Sequence, residues 1–264
     1  VVKPGVTQIV VADKTTPQFI DSAADAGYEC VELAIRADGD LTLATPHDQL
    51  QAYADHAKSR NIELVSMAML HCTGNLLDGG DEQARSLDET LAALHMAKTL
   101  GIACTLHTLG RLRADLYYDD AYRNAVTSLK RLAPHAEQLG IDIALEFVWN
   151  GFLFSPLEMR GLLDEVASPR IGFYFDPGNM AVYQFPHHWV RVCRRHIKMV
   201  HLKDWKGGAL NGAWPALTEG EIDYAAMNAE LRSAGYDGPM ISEVPPQVAS
   251  LEKTADAIRR IIAM

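Results

Sequence analysis

The chain has 264 residues, 48% hydrophobic and 22% charged, with a formal net charge of −10. These proportions are ordinary for a soluble globular protein, and no run of about 18 apolar residues occurs, so no segment is expected to span a membrane. A nucleic-acid partner is also disfavoured, because such binders carry a basic patch or stripe, and the densest basic stretch, residues 191–203, is short and reads as a solvated helix end.

The four cysteines, Cys30, Cys72, Cys104 and Cys193, are scattered without a Cys-x-x-Cys pair. In a chain of this length they read as reduced, mostly buried thiols. Val1-Val2-Lys3-Pro4-Gly5 lacks a charged region followed by an apolar run and cleavage site, so a cytoplasmic location is expected.

In chain order, a first strand is expected near residues 6–11. It leads into Ala12-Asp13-Lys14-Thr15-Thr16-Pro17, which reads as a helix N-cap with proline near the start rather than a glycine-rich phosphate turn. An Ala-rich helical pattern over 19–27 ends in Gly27 and gives way at once to a second strand near 29–35. Asp38-Gly39-Asp40 has a turn signature and lacks the ligands of an EF-hand loop. A third strand falls near 62–69. Residues 81–100 and 120–139 show apolar spacing of three and four. Each ends in glycine, Gly101 and Gly140, before the fourth and fifth strands, near 102–107 and 142–148. The sixth and seventh strands lie near 171–176 and 197–203. A helix ending at Gly235 precedes the eighth, near 239–244, and a last helix covers about 250–262.

Helix, glycine, buried strand is half of a βαβ unit, since glycine suits the left-handed residue after a helix. Four such units, filled in to eight strands alternating with helices and without a linker, predict an α/β fold, a closed (β/α)₈ TIM barrel with a single domain over residues 1–264; about 250 residues is typical of that fold.

Catalytic groups of such barrels sit at the C-terminal ends of the strands. Four neighbouring strands carry an ionisable residue late in an apolar run: Glu146, Asp176, His201 and Glu243. Three converging carboxylates demand raised pKa values, basic partners or a metal ion. Core ion pairs with Lys203, Arg170 or Arg191 are the plain structural alternative. Three carboxylates and an imidazole, without cysteine, suit a hard divalent ion, Mn²⁺ first, with Mg²⁺, Co²⁺ or Zn²⁺ as alternatives.

Phe175-Asp176-Pro177-Gly178-Asn179, Val200-His201-Leu202-Lys203-Asp204, Ile241-Ser242-Glu243-Val244 and Ala144-Leu145-Glu146 resemble the motifs of the xylose isomerase-like sugar isomerase/epimerase superfamily. The resemblance implies that Glu146, Asp176, His201 and Glu243 hold the ion and that Glu146 and Glu243 exchange the proton. A chelated ion stabilises the developing enediolate as a Lewis acid, while two carboxylates take a proton from one face and return it to the other. Many epimerases of the family carry histidine where Asn179 stands, and Gly178-Asn179 looks more like the ketopentose-phosphate 3-epimerase branch.

Substrate contacts are expected from Asn179 and from His71 and His107 at the ends of strands three and four. Glu32 either contacts substrate or pairs with Lys203, with substrate preferred. Lys203 either ion-pairs a ligand carboxylate or meets a substrate phosphate. Trp149, Phe152, Phe154 and Trp205 are candidate pocket walls, and residues 207–214 a mobile loop.

The expected activity is a divalent-metal-dependent sugar or sugar-phosphate isomerase or epimerase acting on a small carbohydrate, compatible with a homo-oligomer. The alternative is a metal-dependent lyase or dehydratase acting on a keto-sugar or keto-inositol. An abasic-site endonuclease, which shares the fold, is disfavoured by Asn179, by the absence of Asp-x-His after strand seven and by the net charge.

Overall fold

Gly101 and Gly140 adopt the left-handed conformation (φ +74° and +73°) directly after two long helices, as do Gly27 and Gly235 after shorter ones. A side chain there would be strained, so these glycines stop each helix and turn the chain into the next strand.

The computed structural model describes residues 2–69 and 74–264. The first half runs β1 (Pro4–Thr7), α1 (Thr16–Asp25), β2 (Cys30–Ile35), α2 (His47–Ser59), β3 (Glu63–Met69), α3 (Gly80–Leu100), β4 (Cys104–His107) and α4 (Tyr118–Leu139). Next come β5 (Asp142–Glu146), α5 (Pro156–Val166), β6 (Ile171–Phe175), α6 (Pro177–Ala181), α7 (Pro186–Cys193) and β7 (Ile197–Leu202). A small hairpin of β8 (Lys206–Gly208) and β9 (Asn211–Ala213) follows, then α8 (Tyr224–Ser233), β10 (Met240–Ser242) and α9 (Leu251–Ala263). Eight parallel strands close in the order β1-β10-β7-β6-β5-β4-β3-β2, a single (β/α)₈ TIM barrel. Among the described residues no helix is long and apolar enough to cross a membrane.

The first strand is shorter and earlier than expected, and Gln8–Val10 form a 3₁₀ turn. Side chains divert the backbone here: Thr7 Oγ1 accepts from Ile9 N (3.2 Å), and Gln8 Oε1 takes Ala34 N (3.1 Å). Short polar contacts of this kind compete with a sheet ladder. The expected cap of α1 is present, with Thr15 N donating to Gln18 Oε1 (3.0 Å). Asp40, from the expected turn, accepts from Thr16 N at the same helix end.

Strand alternation decides what reaches the barrel interior. Cys30, Ala34, Cys104, Leu106, Ala144, Tyr174, Met199 and Ile241 pack together inside the barrel, while Val31, Leu33, Ile143, Leu145, Phe173, Val200 and Leu202 pack with the surrounding layer. Glu32, Glu146, Asp176, His201, Lys203 and Glu243 share the inward parity. His107 does not.

Candidate metal centre

Glu146 ends β5, Asp176 follows β6, His201 lies on β7 and Glu243 follows β10, four adjacent strands of the barrel. One ligand atom from each lies within 4.8 Å of the others. His201 Nδ1 is 3.5 Å from Glu146 Oε1 and 3.4 Å from Glu243 Oε2, yet it is buried without a hydrogen-bond partner. Asp176 Oδ1 caps α6, accepting from Gly178 N (2.8 Å) and Asn179 N (3.3 Å). Its Oδ2 makes no hydrogen bond, although Lys203 Nζ is 3.0 Å away as an ion pair. A buried imidazole nitrogen left without a hydrogen-bond partner or a bound cation costs free energy. Three carboxylates and that nitrogen, with no thiolate, fit a divalent cation of the Mn²⁺, Mg²⁺, Co²⁺ or Zn²⁺ type.

Glu32 corrects the expected substrate contact. Its side chain has 0% exposure, and both oxygens are used inside the protein. Oε1 accepts from Thr7 Oγ1 (2.7 Å) and faces His201 Nε2 (2.9 Å); Oε2 accepts from Ser66 Oγ and Tyr174 OH (both 2.7 Å). Burial alone would raise the Glu32 pKa, but His201 and these donors hold it below the usual carboxylate range. An ionised Glu32 fixes Nε2–H as donor, so Nδ1 is the nitrogen turned to the cluster. Burial alone would lower the His201 pKa, but Glu32 and the two cluster glutamates raise it well above its ordinary value. A cation binding there would therefore displace a proton from Nδ1.

Lys203 and Asn179 grip candidate ligand residues. Lys203 Nζ lies 2.7 Å from Glu243 Oε2 as well as 3.0 Å from Asp176 Oδ2. Of the cations weighed from sequence for the cluster, Lys203 pairs with two of its carboxylates; Arg170 instead pairs with Asp142 (3.2 Å) at the start of β5. Asn179 Nδ2 donates to Glu146 Oε1 (3.1 Å) and to the Phe147 carbonyl (2.9 Å) rather than awaiting a substrate oxygen.

His107 is a second correction. Cys104 and Leu106 face inward, so His107 points out between β4 and α3, where Nδ1 accepts from Leu109 N (2.8 Å) and Nε2 lies 3.3 Å from Thr90 Oγ1. Burial lowers its pKa to about 4. His71 lies outside the described residues.

A cavity of about 560 Å³ opens beside Glu243 and Lys203, with Trp149 and Trp214 in its wall. Phe152 is instead buried against Tyr118 (rings 5.2 Å apart), and Phe154 packs edge-on against Phe147. Trp205 supports Trp214 from behind (4.6 Å). Residues 207–214, expected as a mobile loop, are mostly the β8–β9 hairpin, tied down by Trp205 Nε1 donating to the Gly207 carbonyl (2.8 Å). The anchor is Asp204, whose carboxylate accepts from Trp205 N (2.9 Å), Thr218 N (2.9 Å) and Gly220 N (3.0 Å). Asp204→Ala is expected to lower stability by about 1–3 kcal/mol, since it strands one buried and two partly buried backbone donors. Denaturant titration checks this; a change below about 0.5 kcal/mol, typical of an ordinary surface substitution, would contradict it.

The two glutamates are electrostatically unlike. Burial raises the Glu146 pKa to about 7 despite His201, with Glu243 and Asp176 adding to the rise. Burial would raise Glu243 too, but Lys203 and His201 pull it well below the carboxylate range. Asp176 is raised by burial, and Lys203 opposes the rise. Sequence reading missed Thr7, Ser66 and Tyr174 as holders of Glu32, and Trp214 as a wall. Tyr174 was within reach of it, standing two residues before Asp176 on the same face of β6.

The profile of a family described as "Xylose isomerase-like TIM barrel" matches residues 20–261. The chain is 26% identical over 228 residues to an L-ribulose 3-epimerase of Methylomonas sp. (strain DH-1), covering 85% of this chain and 76% of that protein. It is 23% identical over 236 residues to the L-ribulose-5-phosphate 3-epimerase UlaE of Salmonella paratyphi C (strain RKS4594), covering 86% and 81%. A solved D-tagatose 3-epimerase-like protein superposes with a TM-score of 0.85 at 18% identity, covering 99% of this chain and 97% of that one; at this identity the likeness shows the fold alone. With an inward Glu-Asp-His-Glu cluster on four neighbouring strands and a family match over nearly its whole length, this chain belongs to the xylose isomerase-like TIM-barrel family.

Proposed function

We propose that the chain is a divalent-metal-dependent ketose 3-epimerase in which Glu146 and Glu243 move the proton. The observation that carries this reading is the orphaned Nδ1 of His201, surrounded by Glu146, Asp176 and Glu243. A bound divalent ion supplies Lewis-acid polarisation of a carbonyl, which lowers the cost of removing the neighbouring proton.

The protein's own groups divide the remaining work. Glu243, kept ionised by Lys203 and His201, is suited to accept a proton, with Glu146, the second glutamate of the cluster, as its partner in the exchange. Asn179 fixes Glu146 through its amide, and Lys203 fixes Glu243 and Asp176. Trp149 and Trp214 wall the approach and reduce its water content. The sugar epimerases among the relatives support the same reaction class.

The test is plasma mass spectrometry of wild type and His201→Ala, with a ketose panel incubated in D₂O. We expect a stoichiometric divalent ion in wild type, lost in the variant, and deuterium at carbon 3 of recovered sugar. Release of water or carbon dioxide instead would move the protein to the lyase class. A wild type that takes up no ion and exchanges no proton would end the proposal.

A further inference from the structure

We propose that the mouth of this site takes a non-phosphorylated ketose, with a carbon–hydrogen face against Trp149 and Trp214, and rejects the phosphate ester of the same sugar. This rests on the epimerase reading and names the substrate class of that site; it departs from the phosphate branch that Gly178-Asn179 resembles.

The wall of the cavity is the first observation. Beside the ligand residues it consists of Val10, Trp149, Trp214, Pro215, Val244 and Pro245, with Ala213 and Val248 at its edge. The Trp149 and Trp214 rings lie 5.1 Å apart at 35°. Trp149 is pinned by its Nε1 donating to the Asn179 carbonyl (3.3 Å), yet stays 48% exposed, so ring surface is available. A sugar offers hydroxyls to polar groups and an apolar carbon–hydrogen face to such a wall.

The second observation is that, among the described residues, no side chain along this wall is free to hold a dianion. Among the described residues Lys203 is the only cation lining the cavity, and it already lies between Glu243 and Asp176 at 2.7 and 3.0 Å. Pro215, Pro245 and the adjacent Pro246 carry no N–H to donate.

Helix N-termini, the usual phosphate cradles of α/β proteins, are the third. Three of those following barrel strands already hold a carboxylate of the chain. Thr16 N of α1 donates to Asp40, Gly178 N of α6 to Asp176 (2.8 Å), and Ala226 N of α8 to Asp223 (2.9 Å). A phosphate arriving there would have to displace an anion already hydrogen-bonded to the backbone.

The experiment uses the full chain loaded with Mn²⁺. kcat/KM is measured for ribulose and fructose against ribulose 5-phosphate and fructose 6-phosphate, and tryptophan emission is titrated with each compound. We expect the free sugars to be favoured by about 10²-fold or more, because a site without partners for a charged group rejects it strongly. Saturable quenching should appear with the free sugars only. Trp214→Ala should raise KM for the free sugar about tenfold while metal content stays at the wild-type level. Equal or better use of the esters would overturn the substrate class and leave the epimerase reading standing. If no ketose is converted, the epimerase reading fails and the quenching titration still decides the class. Quenching by free sugar alone would support the inference; quenching by ester alone, by both equally, or by neither would overturn it.

Discussion

Glu146→Gln is expected to lower kcat for ketose epimerisation by about 10²–10⁴-fold, the usual contribution of a positioned acid–base group. Gln preserves the shape of the side chain and its contact with Asn179, but it can neither take nor give the proton. Deuterium exchange at carbon 3 should fall in parallel, with KM moving only a few-fold, because the lost interaction belongs to the transition state. Because Glu146 is also a candidate ligand, the assay is run over a metal titration. Full recovery of the rate at high metal would show that Glu146 only holds the ion.

The same residue makes metal binding pH-dependent. The pKa of Glu146 in the folded, metal-free protein is about 7 against an ordinary 4.5, and that of His201 is raised well above 6.5. Between about pH 4.5 and 7 the folded metal-free protein holds a proton on Glu146 that the unfolded chain has released, so its stability falls as pH rises through that window. His201 acts in the same direction. Its contribution is fully present below 6.5 and is lost as pH rises through its folded pKa. A bound ion requires both protons gone, so the gain in melting temperature on adding Mn²⁺ should grow from pH 6 to pH 8.

Glu32→Gln is expected to weaken metal binding by about 10–100-fold, although Glu32 is not among the four candidate ligands. A neutral amide no longer fixes the Nε2–H tautomer of His201, and Thr7, Ser66 and Tyr174 lose a charged acceptor. Removing one charge from a buried, fully bonded pair should also cost about 3–5 kcal/mol of folding stability. Calorimetry with and without Mn²⁺ separates the effects, and the circular dichroism of the metal-free variant establishes that it folds. Unchanged metal affinity in a folded Glu32→Gln protein would remove Glu32 from the site. The lowered pKa of Glu32 sets the acid limit of this contribution: it is present above 4.5 and lost as pH falls through the folded value.

Much of this molecule is written locally in its chain. Gly27, Gly101, Gly140 and Gly235 each follow a helical pattern and precede a buried run, because the left-handed turn there favours glycine. Those four units, with the remaining strands alternating with helices, were enough to derive the barrel. Glu146, Asp176, His201 and Glu243 stood out for a similar reason: ionisable groups late in apolar strands need a shared purpose to offset their burial.

Facing and partnership were decided by the tertiary structure. Cys104, Thr105, Leu106 and His107 form a strand buried on both sides, so no alternation of polarity marks which side chains point inward. Only closure of the barrel sends His107 outward to Thr90. Glu32 lies 169 positions from His201 in the chain, and their meeting depends on how the strands are staggered around the barrel. The hairpin over residues 206–213 has too few apolar residues to show a period, and it is held by Asp204 and Trp205 rather than by its own sequence. Short-range preferences thus determined the elements and the residues available for chemistry. Which of those residues joined the candidate metal cluster, which became supports and which turned away was set by long-range packing, since burial and hydrogen bonding are properties of neighbours that the chain brings together only on folding.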